Sequence, residues 1–393
     1  MERESKYLLH LLGAFARKET PEQWEGTDWQ KLFQLARIHG VTGILGYMTM
    51  KYPICPDGQM TASLRSACHS TVAEFARRGV QAEMLLQALE QAGIDHIVMK
   101  GLVLRKLYPV PELRTFNDID IVIRPEDRQR SDDLMLSLGF QRHTDWEPVY
   151  SYFRGNELYE IHTEIMEVDV SDRADYKGYF RNMWEHAEPV SLHSFRFTPE
   201  FHFLYLLTHI AKHVHGSGAG IRMYMDVAVF VQHYGKTLDW TWIREQLRLL
   251  KLEAFAGTLL TAAKQWFGIS CPMAHAVPGE EVMEQFLAFT MEGGTFGHHN
   301  RNEALAALKH AKPDADVGRL QKALRSAFPK AETIQSRYTY LQQRPWLLPA
   351  AWLHRLIKNR EKLGDTSRNM KKIISADTEE VRQLRQLMGD IGL

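Results

Sequence analysis

The stretch TFNDIDIVIRPED, residues 115 to 127, governs how the rest of the chain is read. Asp118 and Asp120 sit one residue apart and lead into Ile119, Ile121, Val122 and Ile123. The β-branched run predicts a strand. On a strand, residues i and i+2 share a face. The two carboxylates therefore project side by side, and the isoleucines point to the opposite face. Neighbouring carboxylates repel each other, and burying them without partners is costly. A divalent cation removes the conflict, and hard oxygen ligands suit Mg²⁺. The competing reading of the spacing alone is a solvated strand end.

Working upstream, HIVMKG (96 to 101) is a short β-favouring run that ends at Lys100-Gly101, and LVLRKLY (102 to 108) predicts a short helix closed by Pro109 and Pro111. A glycine at a strand-to-helix junction lets a ligand approach the backbone. The amides of a helix start favour phosphate, and a lysine adds charge. Working downstream, Pro125 opens a helix that Gly139 ends. Strands follow at about 149 to 154 and 157 to 166, joined by a turn at Arg154-Gly155-Asn156. The second carries YEIHTEI, with Glu160 and His162 again at i and i+2. A third carboxylate on an adjacent strand is what a two-metal phosphoryl-transfer site needs.

The order helix, strand, helix, strand, helix, strand, strand predicts a small mixed-sheet α+β core over about 70–198. It is flanked by an N-terminal helical region, 1–69, and a C-terminal helical domain, 199–393. Helical periodicity recurs near 60 to 93 and from about 199 onward, with further segments expected at 301 to 310 and 317 to 327. Lys plus Arg equal Asp plus Glu at 48 each in the 393 residues, so overall charge favours neither nucleic acid nor membrane. Three widely spaced cysteines, Cys55, Cys68 and Cys271, argue against a disulfide framework or a cysteine zinc site and read as reduced thiols of a cytoplasmic protein. The N-terminal apolar stretch reads as an amphipathic helix rather than a signal peptide. No run of 18 apolar residues predicts a membrane span.

The run IVMKGLVLRKLYPVPELRTFNDIDIVIRPED, with LGF after the following helix, resembles the core of the DNA polymerase β-type nucleotidyltransferase superfamily. It is most similar to a poorly characterised bacterial branch of "nucleotidyltransferase family" proteins. The resemblance extends to His209, Lys212, His213, Arg222 and Asp226, and to a tail with Phe328-Pro329, Arg337-Tyr338, Leu348-Pro349 and Arg355. There are two departures. The superfamily's glycine is commonly followed by serine or glycine, whereas Leu102 follows Gly101. Its third carboxylate is often aspartate, whereas Glu160 stands here, with Glu164 as a rival.

The resemblance implies transfer of a nucleotidyl group from an NTP to an acceptor: a small molecule, a protein or an RNA. Asp118, Asp120 and Glu160 would hold two Mg²⁺ ions about 4 Å apart. Lys100 and the amides near Gly101 would hold phosphates, Arg105 and Arg114 would add charge, and His162 would orient a carboxylate or contact substrate. Two further readings are a catalytically inactive nucleotide-binding protein of the same fold and a toxin-like transferase modifying RNA or protein. His209 and His213 stand at i, i+4, but without the glutamate of HExxH they do not predict zinc. Arg222 and Asp226 are expected to pair on one helix face. The basic stretch 358 to 372 reads as a solvated tail in preference to an RNA-contacting segment, and the aromatics around Trp346 and Trp352 as core.

Overall fold

The computed structural model describes residues 3–167, 170–294, 328, 331–334, 338, 340–358 and 378–393. The helices expected at 301 to 310 and 317 to 327 lie outside these residues. So do Pro329, Arg337, the side chain of Arg355 and the basic stretch beyond Lys358.

Helices α1 (Arg3–Arg17), α2 (Trp29–Ile38) and α3 (Thr42–Lys51) precede the 34-residue α4 (Gly58–Gln91). Asp57 caps α4 by accepting from the amides of Gln59 and Met60, satisfying donors that have no partner within a first helical turn. β1 (His96–Val98), the single-turn α5 (Gly101–Leu104) and β2 (Asp118–Ile123) follow. Then come α6 (Arg128–Ser137), β3 (Gln141–Trp146), β4 (Val149–Arg154) and β5 (Glu157–His162). Gly155, at φ +61, makes the tight β4–β5 connection. After α7 (Tyr176–Arg181), two short strands, β6 (Ala187–Pro189) and β7 (Ser194–Phe197), lead into α8 (Pro199–Gly216). Helices α9 (Ile221–Tyr234), α10 (Trp240–Leu249), α11 (Glu253–Phe267) and α12 (Glu280–Glu292) complete the packed helical part. A helix over Thr378–Asp390 brings the C-terminal residues against it, where Arg173 binds the Leu393 carbonyl and Ile391 is buried.

The strands form one mixed sheet in the order β3-β4-β5-β2-β1-β7-β6. This is the expected α+β class, with a mixed-sheet core flanked by helices. β2 lies at its middle, parallel to β5 and antiparallel to β1. One face of β2 buries Ile119, Ile121 and Ile123 against Phe75, Ala82, Leu85 and Leu89 of α4 and Met135 of α6. The other carries Asp118, Asp120 and Val122, and Val122 joins the larger core that includes α8 and α9. Burying the isoleucine face therefore fixes which way the aspartates point. None of the described helices is long and apolar enough to cross a membrane.

Several expectations change. β5 ends at His162 and not at 166, so Glu164 lies beyond the strand. The expected helix over 102 to 108 is a single α-turn followed by a 3₁₀ turn, Arg105–Leu107. Trp346 is 74 % exposed and is not core, whereas Trp352 packs on the small cluster of Tyr338 and Leu341.

Candidate active site

The parallel register of β2 and β5 places Asp120 opposite Glu160, and Val122 opposite His162. In a sheet, such partners present their side chains to the same face. His162 Nε2 accordingly lies 3.0 Å from Asp120 Oδ1 and 3.6 Å from Glu160 Oε2. Ligand atoms of Asp120, Glu160 and His162 all fall within 4.8 Å of one another. Asp118, two residues along the same face, is half-buried at the rim.

Lys100 comes from the neighbouring strand-to-helix junction. Its backbone has φ +49 and ψ −124, a region that residues with a Cβ seldom occupy. Holding it there costs about 1–3 kcal/mol. The result is that the ammonium donates to Asp120 Oδ1 at 2.6 Å. Gly101 follows because a Cβ at this position would stand 2.6 Å from Phe116 Cβ and from an Arg114 nitrogen. Leu102 is buried with the β2 isoleucines, which accounts for an apolar residue in the next position.

The charges settle accordingly. Burial opposes ionisation of Asp120, but the Lys100 charge and the His162 hydrogen bond outweigh it and hold the carboxyl well below its usual range. Asp118 is raised, first by the charge of Asp120 and then by burial. Burial pulls His162 down, but its hydrogen bonds to Asp120 and Glu160 win and raise it. Asp120 Oδ2 and His162 Nδ1 are buried and have no hydrogen-bond partner among the described residues. A buried, ionised carboxylate oxygen left unsatisfied beside a second carboxylate and an imidazole fits a cation ligand.

Residues 25–268 match the model of a protein family described as uncharacterised nucleotidyltransferase. The chain belongs to that family. The matched span contains β1 to β7 and α2 to α11, hence every residue of this site. No curated protein matches the chain. Among solved structures, the solution structure of the antibiotic-resistance factor ANT(2'')-Ia is similar over 44 % of this chain and 92 % of its own, at 12 % identity and a TM-score of 0.33.

The two arginines expected to supply phosphate charge to this nucleotidyltransferase are placed otherwise. Arg114 forms a buried bidentate pair with Asp226 of α9: Nη2 to Oδ2 at 2.6 Å and Nε to Oδ1 at 3.1 Å. Tyr108 donates to the same carboxylate at 2.7 Å. Arg105 donates to the Phe75 carbonyl at 3.0 Å and to Glu112 at 3.3 Å. Both guanidiniums tie the 105–114 segment to its surroundings. Asp226 thus pairs across the fold with Arg114, in place of the expected neighbour Arg222.

Arg222 donates instead to Thr115 Oγ1 at 2.7 Å, and its Nε is buried without a partner among the described residues. Burial and the charge of Arg114 push it down to about 10. Sequence reasoning missed Arg78 of α4, which donates to the Phe116 and Asn117 carbonyls at 2.6 and 2.9 Å and so fixes the chain just before Asp118. An isolated arginine in a long helix carried no signal of that role. It also missed that α8 comes near the site, where the charges of Lys100 and Asp120 both act on Tyr205 and Lys212.

Proposed function

We propose that this nucleotidyltransferase moves a nucleoside monophosphate from an NTP to an acceptor hydroxyl by the chemistry of the polymerase β-type superfamily, and that it works in the cytoplasm. The observation that carries the reading is the Asp120–Glu160–His162 cluster beside Asp118, with its unsatisfied buried oxygen. In this reading Asp118, Asp120 and Glu160 bind Mg²⁺, which when bound offsets phosphate charge and lowers the acceptor's pKa. His162 orients the two carboxylates it touches. Lys100, which donates to Asp120 in this structure, would be free to hold a phosphate with a cation on that carboxylate. The acceptor oxygen bonds to the α-phosphorus, its proton goes to a nearby carboxylate, and pyrophosphate leaves.

The direct test is incubation with labelled NTPs and Mg²⁺ against cell extract, to find a labelled small molecule, protein or RNA. A paired measurement compares Mg²⁺-dependent NTP binding in wild type and in Asp118→Asn/Asp120→Asn. NTP binding that ignores both Mg²⁺ and the double substitution sinks the proposal.

A further inference from the structure

α8 carries three polar side chains on one face, His209, Lys212 and His213, at i, i+3 and i+4. The ring nitrogens of the histidines meet, Nε2 to Nε2, at 3.1 Å, and His209 Nδ1 is buried with no partner among the described residues. The Lys212 ammonium can donate three hydrogen bonds. Its partner among the described residues is Glu167 Oε1 at 3.7 Å, a carboxylate on the loop after β5 whose side chain is 45 % exposed. So long a contact to a half-exposed group is weak and easily exchanged.

We propose that Lys212, flanked by His209 and His213, is an anion subsite for the polyphosphate of the nucleotide, and that Glu167 occupies it in the free protein. The proposal deepens the nucleotidyl-transfer reading and takes its ligand from it. Charge selects the ligand class. Two imidazoles at this spacing resemble a metal pair, but Lys212 lies between them in sequence, and Lys100 acts on both rings. A bound cation would be repelled from this side, whereas an anion would be drawn to it. Burial depresses Lys212 against the pull of Glu167, and burial with the charges of Lys212 and Lys100 holds His213 at about 4. Asp120 and Glu160 act on Lys212 through their charge, so the carboxylates that would take the cation and the amine that would take the anion could serve one metal-bound triphosphate. The tail phosphates would displace Glu167, exchanging a loose ion pair for charge-assisted hydrogen bonds to a multiply charged group.

The test uses inorganic tripolyphosphate, the full-length protein and a chelator, so that no divalent cation contributes. Calorimetry should show binding by wild type, weakened at least about tenfold in Lys212→Gln and tightened several-fold in Glu167→Gln. Lys212→Arg should retain it, and NTP in excess should displace it. Equal affinity in wild type and Lys212→Gln, no gain in Glu167→Gln, or failure of NTP to compete overturns the subsite. Glu167→Gln changes an exposed loop side chain, so its result stands even if Lys212→Gln folds poorly. Asp120→Asn separates this idea from the reading beneath it. That variant, in which Lys100 is also freed to meet phosphate, should bind metal-free tripolyphosphate at least as tightly as wild type while losing transfer. Tripolyphosphate binding that follows this pattern in a protein that transfers no NMP leaves the subsite standing and removes the transfer reading alone.

Discussion

Lys100 Nζ lies 2.6 Å from Asp120 Oδ1, and both groups are largely withdrawn from water. An internal ammonium thus holds the carboxylate that a metal would also seek. Breaking such a pair by removing one partner leaves an uncompensated buried charge, at a cost of about 3–5 kcal/mol. Asp120→Asn, which strands Lys100, should therefore lower the urea unfolding free energy by about that amount. Lys100→Met leaves Asp120 with His162 and frees an oxygen for a cation. That variant should bind Mn²⁺ at least as tightly as wild type, read as a rise in thermal midpoint with added metal, yet lose about a hundredfold in transfer. Weaker Mn²⁺ binding in Lys100→Met would show that the lysine supports the cation and does not compete with it.

Gly101 is fixed by packing. A methyl group there meets Phe116 Cβ and Arg114, both anchored, since Arg114 is held by Asp226 and Phe116 lies under Arg78. Gly101→Ala should destabilise by about 1–3 kcal/mol through overpacking. Because Phe116 leads by way of Asn117 into Asp118, the strain should also displace the carboxylate-bearing end of β2. The expected signature is a lower unfolding midpoint in denaturant together with weakened Mg²⁺-dependent NTP binding. Normal binding with reduced stability would confine the effect to packing.

What the sequence made legible was local. DIDIVI announced a central strand because its alternation places isoleucines on one face and aspartates on the other, and the β4–β5 hairpin followed from Gly155 between two apolar runs. β3, β6 and β7 escaped notice because they lie toward the ends of the sheet, where QRHTDW, AEP and SFRF need no continuous apolar face. Glu160 and His162 were legible because their i, i+2 spacing repeats that of Asp118 and Asp120, although the parallel pairing of β5 with β2 takes the whole crossover through α6, β3 and β4. The contacts of Arg114 and Lys212 are made with distant segments. Asp226 is 112 residues from Arg114, and no periodicity reports which of several arginines a buried aspartate will choose.

That buried pair gives a prediction of its own. Asp226 accepts from Arg114 and from Tyr108, so it joins the 105–114 segment to α9. Asp226→Asn should cost about 3–5 kcal/mol by leaving the guanidinium without its counter-charge. Replacing both partners, as Arg114→Met with Asp226→Leu, should cost less than the two single changes added together, because neither charge is then stranded. A double-mutant cycle by urea unfolding measures the difference, and strict additivity would mean that the contact contributes no coupling.

Acid should loosen the junction of α2 with α9 and α12. The His39 ring is fully buried, with Nδ1 accepting from the Ile221 amide and Nε2 facing the Met291 carbonyl, both at 3.3 Å. This arrangement requires a neutral ring protonated at Nε2. Burial pushes the folded pKa down to about 4, against an ordinary value of 6.5. Between those values the unfolded chain binds a proton that the native state refuses, so stability rises with pH across this window. The contribution is complete above pH 6.5, falls as the pH drops toward 4, and amounts to about 2 kcal/mol lost by pH 5 from this ring alone. His202, also held at about 4, should add to the slope. His39→Asn keeps an acceptor for Ile221 but loses the Met291 contact, so it should start less stable at pH 7.5. Its further loss on moving to pH 5 should nevertheless be smaller than that of wild type by about 2 kcal/mol, measured by urea unfolding at the two pH values. Equal losses in the two proteins would assign the acid sensitivity to other groups.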